Sequence, residues 1–219
     1  MKKITKIEYQ KKNKDRVNIY LDDNFAFGID LNIMIKYSLA KNKELEDEFI
    51  EEILKAEEEI SVYNYAVSVL SRSAKSEKQL RDKMREKGYD DQFIDSAIEK
   101  LKQQKYLDDE RYSEMLISSK LNACKYGKRR IKEVLYEKGI ERNIIEEKLK
   151  LVSEEDEIER ACFIGAKKLR TLKENDTRKK NIKLSSFLIN KGFEYSVVRK
   201  AVSRLIDVNC EEFDEYEDY

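Results

Sequence analysis

The sequence predicts a mainly α-helical protein, in which three tandem three-helix repeats form an elongated array behind a small N-terminal antiparallel β-unit and short helices. Three observations lead to this fold class. The 219 residues contain no proline, the residue that most often breaks helices. Apolar residues keep a period of two near the N-terminus and a helical period afterwards. A Lys-Gly-apolar motif also returns three times along the chain.

The first thirty residues predict three short strands. Apolar side chains mostly keep a spacing of two along them, at Ile4, Ile7 and Tyr9, then Val17, Ile19 and Leu21, then Phe25, Phe27 and Ile29. Asp22-Asp23-Asn24 separates the second and third runs as a tight turn would. A short helix over 32–37 and an acidic amphipathic helix over 45–59 follow. We therefore expect residues 1–60 to form a β-unit with two helices.

The repeat is built around Gly88, Gly139 and Gly192, which lie 51 and 53 residues apart. Counted from each glycine, positions −8, −4, +6, +10 and +13 are apolar in all three copies. A helix therefore ends at each glycine and a second helix follows, while a further amphipathic helix precedes each pair, over about 62–72, 110–124 and 155–172. Ser76 and Ser153 are expected to cap two of these helices. The predicted repeats span 61–106, 107–152 and 153–208.

The charges cancel overall, with 45 basic and 45 acidic residues, but they are unevenly placed. The last eleven residues, 209–219, form an acidic segment that we expect to be disordered. Positive charge gathers around the middle helix of each repeat, and such clusters suit a phosphate backbone or an acidic protein groove. A solvated helix face is the alternative. The candidate contact residues are Lys78, Arg81, Arg85, Lys128, Arg129, Arg130, Lys132, Lys179, Lys180 and Lys183.

Several kinds of chemistry have no residues to support them. Without histidine, the chain cannot build a Ser-His-Asp triad or a histidine metal site, and its three cysteines never form a C-x-x-C pair. Glycine-rich phosphate loops are missing too. We expect no enzyme activity, no cofactor and no metal. A carboxylate cluster, Asp108-Asp109-Glu110, admits a metal-dependent nuclease, although a helix N-cap explains it more simply. No apolar run is long enough for a membrane span, so we expect a cytoplasmic protein.

Several of these segments resemble the signatures of the RecX family. The central one runs from Tyr106 through Leu107, Asp108, Asp109, Glu110, Arg111 and Tyr112, and continues at Gly127, Arg130, Ile131, Leu135 and Lys138-Gly139-Ile140. The stretch from Ser76 to Gly88 is similar to the first-repeat motif of the family. The family often has proline after its central glycine, where this chain has Lys128. The third repeat is also longer than usual, through residues 173–180.

The resemblance implies a non-catalytic protein that binds RecA filaments on single-stranded DNA along their groove and inhibits strand exchange and co-protease activity. It would thereby act in DNA repair and the SOS response. We expect a monomer with possible direct DNA contact and no membrane association. The alternative is a helical repeat protein that binds nucleic acid alone through the same basic residues. Sequence-specific recognition is not expected, because base-reading side chains are missing from the helix pairs.

Overall fold

A computed structural model describes the backbone of residues 1–214 and the side chains of residues 1–206. The chain divides into two compact units, of which the first is Met1–Leu107 and the second begins at Asp108. The first holds an antiparallel sheet and four helices, and the second holds six helices. The acidic segment predicted over 209–219 lies outside the residues whose side chains are described.

The sheet of the first unit has four strands in the order β3-β2-β1-β4. Their bounds are β1 Lys2–Tyr9, β2 Arg16–Leu21, β3 Asn24–Asp30 and β4 Glu44–Leu45. Asp22 and Asp23 both have positive φ, as a two-residue hairpin turn requires, so the predicted turn is confirmed. The fourth strand was not predicted. Its two residues pair with the start of β1, and they carry no alternating pattern that a sequence could show.

Four helices complete the first unit, and the second of them is longer than the sequence predicts. Their bounds are α1 Leu31–Lys36, α2 Asp47–Arg72, α3 Glu77–Glu86 and α4 Asp91–Gln103. Two separate helices, over 45–59 and 62–72, were expected where α2 is continuous. The physical reason is that no glycine or proline interrupts residues 47–72.

The continuous helix α2 serves two hydrophobic cores. Its first half packs Ile53 against the sheet, among Ile4, Val17, Ile19 and Ile29. Its second half packs against α3 and α4 and closes the first three-helix unit, with Val62 and Ala66 fully buried. The sheet is thereby joined to the helical part of the same unit by one rigid element.

Six helices form two further three-helix units after Asp108. The first of these contains α5 Asp109–Asn122, α6 Lys128–Glu137 and α7 Arg142–Lys150. The next contains α8 Glu154–Leu169, α9 Thr177–Asn190 and α10 Tyr195–Asp214. Each has its own cluster of buried apolar side chains. Thirteen of the fifteen repeat positions are buried, and the other two, Val152 and Leu205, are half-buried.

The repeated glycines end α3, α6 and α9 in the same way. Gly88, Gly139 and Gly192 have φ of 91°, 80° and 87°, a region that other residues rarely occupy. In each case, the residue after the glycine donates its amide to the carbonyl of the residue five positions before itself, as Tyr89 does to Met84 at 3.2 Å. This bond, with the one from the glycine amide, defines a Schellman cap. The helix ends predicted from the repeat are confirmed.

Candidate interaction surface

The ten basic residues predicted to contact a partner differ in how freely their charges face solvent. Seven of them bond to other groups of the protein, six in ion pairs and one through a backbone carbonyl. The other three, Lys78, Lys179 and Lys180, form no ion pair with any described residue. Sequence spacing separates these two groups only in part. Glu77 and Glu133 lie on the same helix as the arginines they pair with, but the other partners come from outside the helix that carries the cation.

On α3, two of the three cations predicted as contacts are paired. Arg81 is held between Glu77 and Asp95, while Arg85 bonds Asp91 at 2.7 Å. Partial burial alone would lower the pKa of Arg81, but the hydrogen bonds to the two carboxylates outweigh that effect and raise it. Lys78 is exposed on the first turn of the same helix. It is therefore the one predicted contact of α3 whose charge is not already neutralised.

The basic run at the start of α6 is used inside the protein. The Lys128 amide donates to Glu157 Oε1 at 2.8 Å, and its Nζ donates to the Val152 carbonyl at 2.6 Å. Arg129 reaches α9, where its guanidinium donates to the Ile189 carbonyl at 2.8 Å. Because these side chains join α6 to its neighbours, they are structural groups as well as charges.

The backbone at this point approaches the turn between α9 and α10 very closely. The Gly127 amide donates to the Lys191 carbonyl at 2.9 Å, and the Arg129 amide donates to the Gly192 carbonyl at 3.0 Å. A Cβ atom added to Gly127 would lie 2.5 Å from the Phe193 nitrogen. We call this contact the α6–α9 junction, formed by residues 127–130, 191–193 and Glu157. This close approach explains why the central signature has a glycine at position 127.

Glu157 is the buried acid of the junction, with 2% of its surface exposed. Burial raises its pKa, while the Lys128 amide and charge act in the opposite direction. Its carboxylate accepts from the first helical amide of α6, which has no partner inside its own helix. Nothing in the sequence distinguishes this residue, since a glutamate in an acidic first turn is already explained by the favourable interaction of negative charge with the helix dipole.

The remaining cations of α6 and α9 lie nearer the surface. Arg130 pairs with Glu133 at 2.8 Å and Lys132 with Glu146 at 3.3 Å, both across exposed helix faces. Lys183 pairs with Glu174 at 2.9 Å. Lys179 and Lys180 occupy the first turn of α9, ten residues before Ile189, so about 15 Å of helix separates them from the Arg129 contact. The Arg129 guanidinium and the pair Lys179 and Lys180 are thus at opposite ends of α9.

The residues of the central signature have structural roles in this region. Asp108 caps α5 and accepts from the Arg111 amide at 2.9 Å. Leu107 is buried in the core of the first unit, whereas Tyr106 is 64% exposed. Burial, followed by the charge of Asp109, raises the pKa of Tyr112. Among the described residues, no three acidic or cysteine side chains are grouped as a metal would need. The simpler explanation of the Asp108 cluster as a helix cap is confirmed.

Taken together, an N-terminal antiparallel sheet and three units of three helices define a tandem helical repeat protein. Known proteins share this arrangement over nearly the whole chain. Four sequence profiles match in order: the regulatory protein RecX N-terminal domain at residues 2–46, and the first, second and third RecX three-helix domains at residues 63–101, 108–149 and 154–202. The chain belongs to the RecX family.

Individual relatives agree with this assignment. The regulatory protein RecX of Clostridium perfringens (strain 13 / Type A) is 40% identical over 207 residues, covering 94% of this chain and 97% of its own. That of Clostridioides difficile (strain 630) is 35% identical over 214 residues, covering 98% of both chains.

Solved structures of the family have the same fold. A crystal structure of regulatory protein RecX matches with a TM-score of 0.76 and 29% identity, covering 92% of this chain and 98% of the other. That of RecX from Lactobacillus salivarius matches with a TM-score of 0.66 and 27% identity, covering 68% and 97%. None of the described helices is both long and apolar enough to cross a membrane.

Proposed function

We propose that this chain is a non-catalytic cytoplasmic regulator that binds RecA filaments on single-stranded DNA, lies along the filament groove and inhibits recombinase and co-protease activity. It would act as a monomer in DNA repair and the SOS response. Membership of a family of regulatory proteins supports the general role. The observation that carries the binding mode is that lysines without ion-pair partners among the described residues occur in both compact units.

These lysines are Lys78 on α3 and Lys179 and Lys180 on α9. A cation already paired with a carboxylate offers a partner little net attraction, because the pair must be broken or its charges cancel at a distance. Lysines without such a partner keep their full charge for a phosphate or an acidic side chain. They are therefore the best candidates for contact among the ten predicted residues.

The experiment reverses these three charges in one variant, Lys78→Glu/Lys179→Glu/Lys180→Glu. A matched control, Lys41→Glu/Lys55→Glu/Lys150→Glu, changes three other exposed lysines and gives the same net charge. We would measure RecA ATPase on single-stranded DNA, strand exchange and co-protease cleavage at increasing concentrations of each protein. The first variant should require at least about tenfold more protein for half inhibition, equivalent to about 1.4 kcal/mol of binding. The control should inhibit within about twofold of the unmodified chain.

Two results would overturn the proposal. One is the absence of inhibition by the unmodified chain at amounts stoichiometric with RecA. The other is inhibition by the triple variant that equals that of the control. If the unmodified chain instead binds naked DNA with steep salt dependence and shows no preference for RecA-coated DNA, the same lysines serve the alternative function of nucleic-acid binding alone.

A further inference from the structure

The loop between β1 and β2 combines positive charge with an uncovered aromatic ring. Residues 10–15 connect the two strands, and three of them, Lys11, Lys12 and Lys14, are exposed lysines. Tyr9, the last residue of β1, is 61% exposed. We call these four residues the β1–β2 tip. They lie in the first compact unit, and none of them is among the ten residues predicted from the helical repeats.

The position of Tyr9 explains why its ring is uncovered. Tyr9 pairs across the strands with Val17, so both side chains point to the face that packs on the helices. Val17 is fully buried there, but Tyr9 lies one pair from the end of the hairpin and extends beyond the core. Its ring has no hydrogen bond, stacking partner or cation contact with any described residue. Tyr20, by comparison, packs edge-to-face against Phe25, and its hydroxyl donates to Glu8.

The backbone of the loop is well anchored although its lysines are free. The Gln10 amide donates to the Arg16 carbonyl at 3.0 Å. The Arg16 amide donates to the Asn13 carbonyl at 3.3 Å. The Asn13 side chain also accepts from the Asp15 amide at 3.0 Å. A groove of about 430 Å³ opens beside this loop, lined by Tyr9, Gln10, Lys11 and Lys14. Tyr9 and two of the lysines therefore border a single concave space.

Acidic groups near the tip leave its positive charge largely intact. The pKa of Glu8 is lowered chiefly by its hydrogen bond from Lys6, and Lys11 contributes only a minor part. Glu8 is the neighbour of Tyr9 on the strand, so it points to the opposite face of the sheet. Asp15 forms no ion pair with a described residue. Residues 10–15 thus carry three lysines against one aspartate.

We propose that the β1–β2 tip is a binding site for single-stranded nucleic acid, with a base stacked on Tyr9 and flanking phosphates held by Lys11, Lys12 and Lys14. A positively charged groove beside an exposed aromatic ring is the arrangement that single strands need, because every base has a face that can stack and every nucleotide carries a phosphate. Paired bases in a duplex cannot reach such a ring. The site goes beyond the proposed function, which rests on lysines of the helical repeats.

The test uses the full-length chain, a fluorescein-labelled oligothymidylate and no RecA, with dissociation constants measured by anisotropy over a range of salt concentrations. The variants are Tyr9→Ala, Tyr9→Phe and Lys11→Glu/Lys14→Glu, with Lys41→Glu/Lys55→Glu as the control of equal charge. Tyr9→Ala should weaken binding about fivefold or more, while Tyr9→Phe stays within about twofold, since stacking needs the ring and not the hydroxyl. The Lys11/Lys14 variant should lower the slope of log affinity against log salt by about 1.4, or about 0.7 per lost contact.

Other outcomes would overturn the proposal. If Tyr9→Ala and the Lys11/Lys14 variant both bind like the control, the tip is a solvated loop. If Tyr9→Ala has no effect while the lysine variant weakens single-stranded and duplex DNA equally, the tip is a phosphate contact without stacking. If only binding to RecA-coated DNA falls, its partner is a protein. Because RecA is absent from the main assay, this proposal can fail while the regulation of RecA stands, and the reverse also holds.

Discussion

Alanine substitutions at three glycines separate the energetic cost of backbone conformation from the cost of close approach. Gly88 has positive φ, but a Cβ added there meets nothing within 4 Å. Gly127 has an ordinary φ of −82°, but an added Cβ collides with the turn between α9 and α10. Gly192 has both features, since its φ is +87° and its added Cβ would lie 2.5 Å from the Cβ and nitrogen of Arg130.

The structure sets the order of the three effects. A left-handed conformation costs a residue with a Cβ about 1–2 kcal/mol, which is the full effect expected for Gly88→Ala. At Gly127 the backbone must move by about 1 Å to restore van der Waals contact near 3.5 Å, and such overpacking costs about 1–3 kcal/mol. Gly192→Ala combines both terms, so it should lower the free energy of unfolding by about 2–5 kcal/mol.

The assay is urea unfolding followed by far-ultraviolet circular dichroism, with linear extrapolation to water. Gly88 lies in the first compact unit and the other two glycines in the second, so separate transitions, if seen, are fitted separately. The double variant Gly127→Ala/Gly192→Ala should cost less than the sum of the single ones, because one opening of the junction relieves both collisions. The reasoning would be refuted if Gly192→Ala lowered the free energy of unfolding no more than Gly88→Ala does. It would also be refuted if the effect of the Gly127→Ala/Gly192→Ala variant equalled the sum of the two single effects.

Two further predictions concern a cap and two acids. Ser76 forms a reciprocal capping box with Gln79, so Ser76→Ala should lower the free energy of unfolding by about 1 kcal/mol, as measured by urea unfolding, and an unchanged stability would contradict the assignment. Glu157→Gln and Glu77→Gln should have opposite pH dependence when unfolding is measured from acidic to neutral pH. Burial raises the pKa of Glu157 in the folded chain, so its contribution to stability decreases as pH rises above about 4.3, the pKa of a glutamate in the unfolded chain. The free energy of unfolding of Glu157→Gln should therefore rise relative to that of the unmodified chain as pH increases. At Glu77, burial is outweighed by hydrogen bonds from Lys102 and Arg81 that lower the pKa, so the cost of Glu77→Gln shrinks as pH falls below about 4.3. Equal slopes for the two variants would show that one sign is wrong.

The elements that the sequence predicts well are those with local signals. A glycine after an amphipathic run predicts a helix end, and Ser76 three residues before Gln79 predicts a capping box, because both interactions lie within a few residues. The fourth strand of the sheet and the continuity of α2 were not predicted, for a related reason. The strand β4 has only two residues, and the end of one amphipathic pattern inside α2 looked like the end of a helix although no breaking residue was present.

The candidate site was harder to predict because its partners are distant in sequence. Gly127 reads as part of a motif, but its neighbour in space is Gly192, 65 residues later. Nothing local indicates that Lys128 will meet Glu157 or that Arg129 will meet Ile189. Likewise, the spacing of Glu77 and Arg81 indicates one ion pair of Arg81, but nothing local indicates that Asp95 on the next helix also contacts it.

The basic run at the start of α6 shows how a charge cluster can be explained by folding as well as by binding. Cations are favoured near the carboxyl end of a helix, and Arg129 donates to a carbonyl in the last turn of α9. Lys128 compensates the buried Glu157, so reversing its charge would place two acids together inside the junction. A charge-reversal series across residues 128–132 would therefore unfold the junction and abolish any activity that depends on it. Loss of RecA inhibition in such a series would say nothing about contact, whereas Lys78, Lys179 and Lys180 can be reversed without that ambiguity.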